Sequence, residues 1–580
     1  MISVRGRALQ SAYALALALL IVAPLLRPGY LLLRDAVSTP RSYLSDAALG
    51  LAESAPRATP QDFAVALASQ VVDGGVVVKA LLVLALWLAG YGAGRLVETV
   101  LPEAGLSGQF VANTVAIWNP YVAERLLQGH WSLLVGYGCL PWVAMAMLAL
   151  RSEEQPRWPA VLALMFWMAL AGLTPTGLML AAMVALVCVA APGSGRSRWP
   201  CTALALAGAV SAALPWLTAS AVGPWSGEPS VQSPAVAAFA ARAEPGLGTL
   251  GSLAGLGGMW NGAAVPVSRT TLFALVATAA LLSVVAAGVP VLVRRPAARP
   301  LLGLAAVAIL LPTALASKLG LALLRAMVDA APGLAVVRDG QKWVALALPA
   351  YALGAAGAVL TLRRWLRPTV TALMCSLALI ATLPDLAWGV GGRVRSVHYP
   401  AGWWTVSKSI NGNAGTVAVL PAGSLRRFAW SGPSPVLDPL PRWVRADVLT
   451  TGDLTVSGVT VAGEGTRARA IQRMLLAGSD PAALRDAGVT WLVVESGTPG
   501  ETGVAARTVS ALPAVYHDAD LTLYRVGGHT GREAAGARRA VMMAHLVWLA
   551  MLAAGAAGMA VSGWRRSQAR LKAGRSGSPP

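Results

Sequence analysis

An acidic residue follows the first long apolar segment of the chain, where a carboxylate could take part in chemistry at a membrane surface. Asp35 lies about nine residues beyond that segment, directly after Arg34, in the sequence LRDAVSTP. A carboxylate there can remain ionised and accept the proton of a hydroxyl group, as a general base does. The alternative is a solvated loop residue paired with a neighbouring arginine, and other acidic residues in the same loop mean that charge alone does not single out Asp35.

Two cations follow in the sequence GLAVVRDGQKWVALAL, before a later apolar segment. Arg338 and Lys342 stand at positions i and i+4, one turn apart if this segment is helical. Such a pair can hold a phosphate, the arginine through its fork and the lysine as a point charge. We therefore predict a site for the phosphate of a lipid carrier. The alternative is a pair of snorkelling cations with Asp339 as their partner.

A third polar cluster lies in the sequence WNPYVAERLLQGHWSLL. Glu124, Arg125 and His130 stand there among aromatic residues, and helical spacing would bring Gln128 to Glu124. Aromatic faces combined with forked hydrogen-bonding groups are typical of sugar sites. Trp260, in the glycine-rich stretch GGMWNGAAVP, is a further candidate for the wall of such a pocket, in a loop at 220–269 that reads as a lid or re-entrant segment. The alternative is an aromatic belt with interfacial polar residues.

The composition determines the kind of fold that must position these groups. Of 580 residues, 56% are hydrophobic and 12% are charged, against about 25% charged in an ordinary soluble domain. This excludes a disordered chain and disfavours a soluble enzyme. The net charge of +20 is explained by arginine-rich cytoplasmic loops, and no basic stretch interleaved with aromatics indicates nucleic acid. The predicted fold is an α-helical polytopic membrane protein.

Segments long enough to span a bilayer number about twelve. The N-terminus and every second connection carry arginines, so the positive-inside rule places these basic connections and both termini in the cytoplasm. The predicted spans are 9–26, 79–100, 105–122, 133–150, 158–175, 177–192, 200–219, 270–292, 300–317, 343–362, 368–386 and 540–562.

The domain organisation follows from a change in the sequence near residue 387, where continuous apolar segments give way to short strand-like runs separated by turns. We predict a transmembrane core over 1–386, an extracytoplasmic α/β domain over 387–538, a last transmembrane helix over 539–563 and a cytoplasmic basic tail over 564–580. Within the α/β domain, GTVAVLP and VTWLVVE read as buried strands, TRARAIQRMLLAG and PAALRDAG as helices, and LTLYRV as an edge or hairpin strand.

Metal and redox chemistry find no ligand pattern in this sequence. All four cysteines lie in apolar segments, and no cysteine or histidine spacing is typical of a metal site. We therefore predict no cofactor and no metal ligands. A divalent cation bound by carboxylates of the first loop remains the alternative.

With these motifs in order, the chain resembles the membrane-embedded glycosyltransferases of the GT-C type. Within them it resembles the membrane core of the mycobacterial arabinofuranosyltransferases of the D type. The resemblance rests on LRDAVSTP, with its acidic residue four positions before the TP, and on LAVVRDGQKW. It also rests on matching residues in the outer segment, namely Trp430, Pro439, Leu440, Trp443 and Arg445.

The resemblance implies an enzyme of the plasma membrane that transfers a sugar from a polyprenyl-phosphate donor to a cell-envelope glycan on the outer face. Arabinofuranose, mannose and an amino sugar remain open, and the envelope would be actinobacterial. Asp35 would be the catalytic base of a single, inverting displacement. Arg338 and Lys342, with Arg34, would hold the donor phosphate. The alternatives are a transporter or flippase of lipid-linked sugars and a non-catalytic scaffold for envelope assembly.

Overall fold

The computed structural model describes residues 4–53, 55–192, 195–223, 233–456, 459–529 and 535–575. In these ranges, each of the twelve predicted spans coincides with a helix. The helices are Val4–Val22, Gly74–Val100, Gly105–Ile117, Trp131–Arg151, Arg157–Ala171, Pro175–Val189, Arg198–Val222, Phe273–Val293, Arg299–Leu315, Leu348–Leu362, Pro368–Ala381 and Ala535–Arg575.

The helices identify a polytopic membrane protein. Within the described ranges, seven are long and apolar enough to cross a bilayer, and nine are if each of two bent pairs forms one span. Other apolar helices are shorter, such as Arg157–Ala171 and Pro175–Val189 with 15 residues each, whereas a span perpendicular to the bilayer needs about 20. Twelve spans, and the side of the membrane on which each loop lies, therefore stay predictions.

Two helices of the core are sharply bent. Arg299–Leu315 is followed by Lys318–Ala330 at an angle of 91°, and Pro368–Ala381 is followed by Pro384–Gly392 at 72°. The second bend ends in a left-handed turn, with φ between 50° and 72° from Trp388 to Gly391. Both bends lie where the chain leaves an apolar helix for a loop that reaches the site described below.

Shorter helices lie between the long ones and in the α/β part of the chain. They are Asp46–Leu49, Gln61–Ala68, Pro120–Gln128, Ser233–Ala238, Gly248–Ala254, Ala401–Gly412, Leu440–Trp443, Thr466–Leu476, Pro481–Asp486 and Ala506–Ser510. The stretch GPWSGEPS of the predicted lid lies mostly outside the described residues, and so do residues 576–580 of the predicted basic tail. Residues 564–575 of that tail continue the last helix.

The α/β part contains a five-stranded mixed sheet. Its strands, in spatial order, are Ala514–His517, Leu521–Arg525, Val489–Glu495, Thr416–Leu420 and Asp447–Val448. The two central strands are parallel, and both are almost entirely buried, as expected for apolar runs rich in valine. The predicted strands and helices of this part are confirmed, and LTLYRV forms the inner strand of a hairpin. Two further hairpins pair Leu425–Arg426 with Val436–Leu437, and Leu454–Val456 with Val459–Val461.

A separate small sheet joins the first loop to the α/β part. Tyr30–Leu33 pairs antiparallel with Ala36–Val37 on one side and with Ser396–Val397 on the other. The apolar sequence YLLL is therefore the central strand of a three-stranded sheet. This sheet carries Arg34 and Asp35 in the turn of its hairpin.

Candidate active site in a cavity beneath the α/β part

The turn that carries Asp35 has an unusual backbone. Leu33 pairs with Ala36, so Arg34 and Asp35 are the two residues of the hairpin loop. Arg34 has a φ of +50°, a conformation that two-residue hairpins normally assign to glycine. A non-glycine residue is kept in this conformation only where its surroundings hold it there.

Four hydrogen bonds hold Arg34 in that conformation. Its main-chain N–H donates to the oxygen of Pro435 at 2.8 Å, and its carbonyl oxygen accepts from the N–H of Leu437 at 2.9 Å. Its guanidinium donates to the main-chain oxygens of Leu127 and, at 2.7 Å, Ala263. Burial, with the nearby charge of Arg393, lowers the pKa of Arg34 to about 10. The side chain anchors the hairpin, and the predicted contact with a donor phosphate would compete with these bonds.

A short helix brings two partners to Asp35. Pro120–Gln128 begins at Asn119, whose side chain accepts a hydrogen bond from the N–H of Val122, and ends at Gly129 with a φ of +84°. A Cβ atom at Gly129 would lie 2.4 Å from the main-chain atoms of Leu33 and Ala36. Glycine is therefore needed for this helix end to lie against the hairpin.

Asp35 accepts two hydrogen bonds on one carboxylate oxygen. His130 Nε2 lies 2.8 Å from Asp35 Oδ2, and Gln128 Nε2 donates to the same atom at 3.1 Å. Burial raises the pKa of Asp35, but these two hydrogen bonds and the charge of Lys342 outweigh it, so the pKa lies below its ordinary value. The Asp35 side chain is 41% exposed because it faces a cavity. An ionised, accessible carboxylate of this kind can accept a proton.

Arg125 lies directly behind His130. Its guanidinium donates to His130 Nδ1 at 3.0 Å and to both oxygens of Asp339 at 3.0 and 3.2 Å, and it also donates to Gln341. Burial raises the pKa of Asp339, but Arg125 and Lys342 outweigh it and hold that pKa at about 2. A buried charge is tolerated when it is paired and hydrogen-bonded in this way.

The structure corrects the predicted positions of Glu124 and Arg125. Both are completely buried, so they support the pocket wall from behind, whereas His130 and Trp260 line the cavity directly. Glu124 accepts from Gln341 at 2.9 Å and from the N–H of Met259 at 3.2 Å, rather than contacting Gln128. The carboxyl group of Glu124 is far from water, so burial, with Glu244 nearby, raises its pKa.

The cavity has a volume of about 930 Å³ and lies between the helical core and the α/β part. Asp35, His130, Trp260, Arg338 and Lys342 line it from the side of the core. From the side of the α/β part its wall includes Arg427, Asp438, Arg442 and Glu464. Residues from distant parts of the sequence thus converge on one polar chamber.

Arg338 and Lys342 reach this chamber without an α-helix between them. Two 3₁₀ segments surround them: Pro332–Val337 ends just before Arg338, and Gly340–Ala347 contains Lys342. The α-helical spacing considered for the pair is therefore not formed. Lys342 Nζ lies 3.8 Å from Asp339. The Arg338 guanidinium lies 4.3 Å from the ring centre of Phe239, and burial, with the charge of Arg57, lowers its pKa to about 10.

A second, apolar cavity adjoins the first at Arg338. Its volume is about 240 Å³, and it lies beside the 91° bend. Arg338 lines both cavities. The apolar wall of the second includes Val307, Leu311, Leu315, Leu324 and Trp343. A cation at the mouth of an apolar cleft suits a ligand with an anionic head and an apolar tail.

The part of the chain that the structure describes contains neither a cluster of metal ligands nor a disulfide bond. Among the described residues, no group of three or more His, Cys, Asp or Glu side chains is placed to hold a metal ion. All four cysteines are free and buried.

The contacts of three site residues were not predicted from the sequence. Helical spacing indicates Gln128 beside Glu124, Asn261 is a candidate in the loop at 220–269 without a named partner, and Asp339 is considered only as the partner of Arg338 and Lys342. Asp339 instead pairs with Arg125, from which it is 214 positions distant, and no local pattern reveals such a pairing. A proline-capped helix ending in a glycine was the one local signal for Gln128.

Fold and site together define a polytopic membrane protein with a GT-C-like fold. Two solved structures of arabinofuranosyltransferase AftD from mycobacteria, two classes of one mutant determined by single-particle cryo-EM, are similar to this chain. The TM-scores are 0.55 and 0.54, at 18% and 16% sequence identity, and each match covers 91% of this chain and 42% of the other. The chain therefore spans less than half the length of these relatives. The predicted resemblance is confirmed for the fold.

Comparisons of sequence alone give no relative. No protein-family model matches the chain, and no curated protein is similar to it.

Proposed function

We propose that this protein is a membrane glycosyltransferase that moves a sugar from a polyprenyl-phosphate donor to a hydroxyl of a cell-envelope glycan on the outer face. One observation carries the proposal. An ionised carboxylate, Asp35, and two cations, Arg338 and Lys342, line the same cavity. The fold shared with a sugar transferase supports it.

The reaction needs a base at one end of the cavity and a phosphate site at the other. The acceptor oxygen attacks the anomeric carbon, Asp35 takes the hydroxyl proton, and the bond from that carbon to the phosphate oxygen breaks. The phosphate leaves with the electron pair, and Arg338 and Lys342 stabilise its growing charge, as fixed cations do in other transfer reactions. A single displacement of this kind inverts the anomeric configuration.

The apolar cavity supports a lipid-linked donor. With Arg338 at the junction of the two cavities, the phosphate would lie at that residue and the first isoprene units would enter the apolar cleft. The exposed leucines of Lys318–Ala330, Leu319 and Leu323, extend this apolar surface outward. The sugar and acceptor would then occupy the polar chamber, against His130 and Trp260.

The test is transfer by the purified protein in liposomes, with a panel of polyprenyl-phosphate sugars labelled in the sugar and with envelope oligosaccharides as acceptors. We expect labelled oligosaccharide from the wild type and a loss of about 10²–10⁴-fold in kcat for Asp35→Asn, the usual worth of a general base. Asp46→Asn is the matched control, because Asp46 lies in the same loop but pairs with Arg538.

Two results would contradict the proposal. Near-normal transfer by Asp35→Asn would remove Asp35 as the base. Label that crosses the bilayer still attached to its lipid would instead indicate a flippase, and neither transfer nor movement with any donor would favour a scaffold.

A further inference from the structure

Both donors to Asp35 belong to chains of hydrogen bonds whose direction is fixed at the far end. The first chain runs from Arg125 through His130 to Asp35. The second runs from the main-chain N–H of Ala263 through Asn261 and Gln128 to the same carboxylate oxygen.

In the first chain, Arg125 determines which nitrogen of His130 carries the proton. A guanidinium is a donor only, so the nitrogen that faces it, Nδ1, must supply a lone pair. The hydrogen of a neutral imidazole is then on Nε2, which points at Asp35 Oδ2 over 2.8 Å. Burial lowers the pKa of His130 and, together with the charges of Arg125 and Lys342, outweighs the opposing effect of Asp35. His130 is therefore neutral and donates to an ionised Asp35.

Arg125 is itself held in one orientation. Each of its two terminal nitrogens makes two hydrogen bonds, one of them to His130 and the other three to Asp339 and Gln341. The side chain is completely buried. It has no freedom to turn a different nitrogen towards His130.

In the second chain, a backbone group determines the orientation of two amides. The N–H of Ala263 donates to Asn261 Oδ1 at 3.1 Å, so the amino group of Asn261 points at Gln128 Oε1, 2.8 Å away. The amino group of Gln128 must then point at Asp35 Oδ2, 3.1 Å away. If both amides were turned over, Gln128 Oε1 would face Asp35 Oδ2, oxygen against oxygen, and the amino group of Asn261 would face the N–H of Ala263, donor against donor.

We infer that Arg125 and Asn261 are positioning residues that act through His130 and Gln128 to occupy Asp35 Oδ2, and that Asp35 Oδ1 is the oxygen that takes the acceptor proton. This inference rests on the proposed function for its catalytic part. No hydrogen bond from a described residue reaches Oδ1, so that oxygen is free for a substrate hydroxyl. The tautomer of His130 is a property of the resting protein and can be measured without substrate.

A matched pair of variants separates the two ends of the imidazole. In His130→Gln the side-chain amino group replaces Nε2 and keeps a donor towards Asp35. In His130→Asn the side-chain oxygen replaces Nδ1, which keeps the acceptor for Arg125 but removes the donor. We expect kcat for His130→Asn at least 10-fold below that for His130→Gln, with a similar KM for the donor.

The dependence of kcat/KM on pH distinguishes a positioning role of His130 from a purely structural one, because a structural role would leave the pKa of Asp35 unchanged. The charged and titratable groups near Asp35 are His130, Lys342 and Arg34, and only the first is changed. Loss of a hydrogen bond to an ionised carboxylate raises its pKa. The acidic limb of kcat/KM should therefore move up by about one pH unit in His130→Asn and stay in place in His130→Gln.

Asn261→Asp tests the second chain without touching His130. Its second carboxylate oxygen would face Gln128 and turn the glutamine amide over, so that an oxygen meets Asp35. We expect a loss of 10-fold or more in kcat, and Asn261→Gly, which frees Gln128 without reversing it, should lose less.

Nitrogen NMR of the wild type labelled with ¹⁵N-histidine tests the tautomer of His130 directly. The spectrum should contain a histidine with unprotonated Nδ1 and protonated Nε2, and its absence in His130→Gln assigns it to His130.

The outcomes are distinct from those of the proposed function. Two results would overturn the inference even if Asp35→Asn is inactive. One is a protonated Nδ1 on His130 of the wild type. The other is an equal kcat, with an equal acidic limb of kcat/KM, in the two His130 variants. Activity in Asp35→Asn would remove the base, and the NMR result would still decide the tautomer. If both His130 variants fail to fold, the comparison of Asn261→Asp with Asn261→Gly decides the inference.

Discussion

The Arg34 guanidinium donates a hydrogen bond of 2.7 Å to the main-chain oxygen of Ala263, although 229 positions separate the two residues. This bond joins the hairpin that carries Asp35 to the loop that carries Trp260 and Asn261. Two segments that line the cavity are thereby joined to each other by one side chain.

Two substitutions of Arg34 separate its backbone from its side chain. Both substitutions remove the two hydrogen bonds of the guanidinium and keep the two main-chain bonds. Arg34→Gly suits the φ of +50°, whereas Arg34→Ala keeps the strain, which costs about 1–2 kcal/mol. We expect both variants to have a lower midpoint of thermal unfolding and a lower transfer rate than the wild type. The unfolding free energy of Arg34→Ala should be below that of Arg34→Gly by about 1–2 kcal/mol. Equal midpoints for the two variants would show that the backbone conformation is unimportant.

The phosphate site can be tested separately from the base. Lys342→Met and Arg338→Gln each remove a cation from the cavity, so we expect the KM for the polyprenyl-phosphate donor to rise about 10-fold or more, the usual worth of a hydrogen bond to a charged group. Lys318→Met is the control, because Lys318 is exposed. Steady-state kinetics against donor concentration give the result, and an unchanged KM in both variants would place the phosphate elsewhere.

Removing one partner of a buried ion pair in the loop behind the cavity should be strongly destabilising. Arg269 pairs with Glu244, and both side chains are almost completely buried. Arg269→Met leaves a buried carboxylate without its partner, which costs about 3–5 kcal/mol of unfolding free energy. We expect the double variant Glu244→Gln with Arg269→Met to recover most of that loss, as measured by thermal unfolding in detergent.

The control for this prediction is the exposed pair of Arg295 and Glu103, whose side chains are 38% and 47% exposed. Arg295→Met should change the unfolding free energy by at most about 1 kcal/mol. If Arg269→Met and Arg295→Met lowered the unfolding free energy by similar amounts, the prediction that burial makes an unpaired charge costly would be wrong.

The predicted sidedness can be tested with single cysteines. The four native cysteines are buried, so a membrane-impermeant maleimide should find few native targets. We expect Glu501→Cys, in the α/β part, to react in intact cells, and Glu153→Cys, in a basic connection, to react only after permeabilisation. The reverse pattern would place the cavity on the cytoplasmic side and would exclude an outer-face reaction.

The helices and the central strands could be predicted because their causes are local. An apolar segment of twenty residues, or a buried valine-rich run such as Val489–Glu495, carries its own signal. The polar clusters around Asp35, His130, Arg338 and Lys342 could also be recognised, since a charge beside a membrane is costly without a partner.

What could not be predicted depends on contacts between distant residues. The pairing of Tyr30–Leu33 with Ser396–Val397, and of Arg125 with Asp339, leaves no trace in the spacing of either partner. The 3₁₀ geometry around Arg338 was missed because an i, i+4 pair of cations is equally compatible with a loop. Glu124 and Arg125 were expected at the pocket surface because charged side chains are usually exposed. Their complete burial is possible because Asp339 pairs with Arg125 and Gln341 donates a hydrogen bond to Glu124.

The three-stranded sheet has a mechanical consequence. Because Tyr30–Leu33 is hydrogen-bonded to Ser396–Val397 at the entry to the α/β part, that part cannot swing away without pulling on the hairpin turn. Any displacement of the α/β part would thus be passed to the turn that carries Asp35 over a few main-chain bonds.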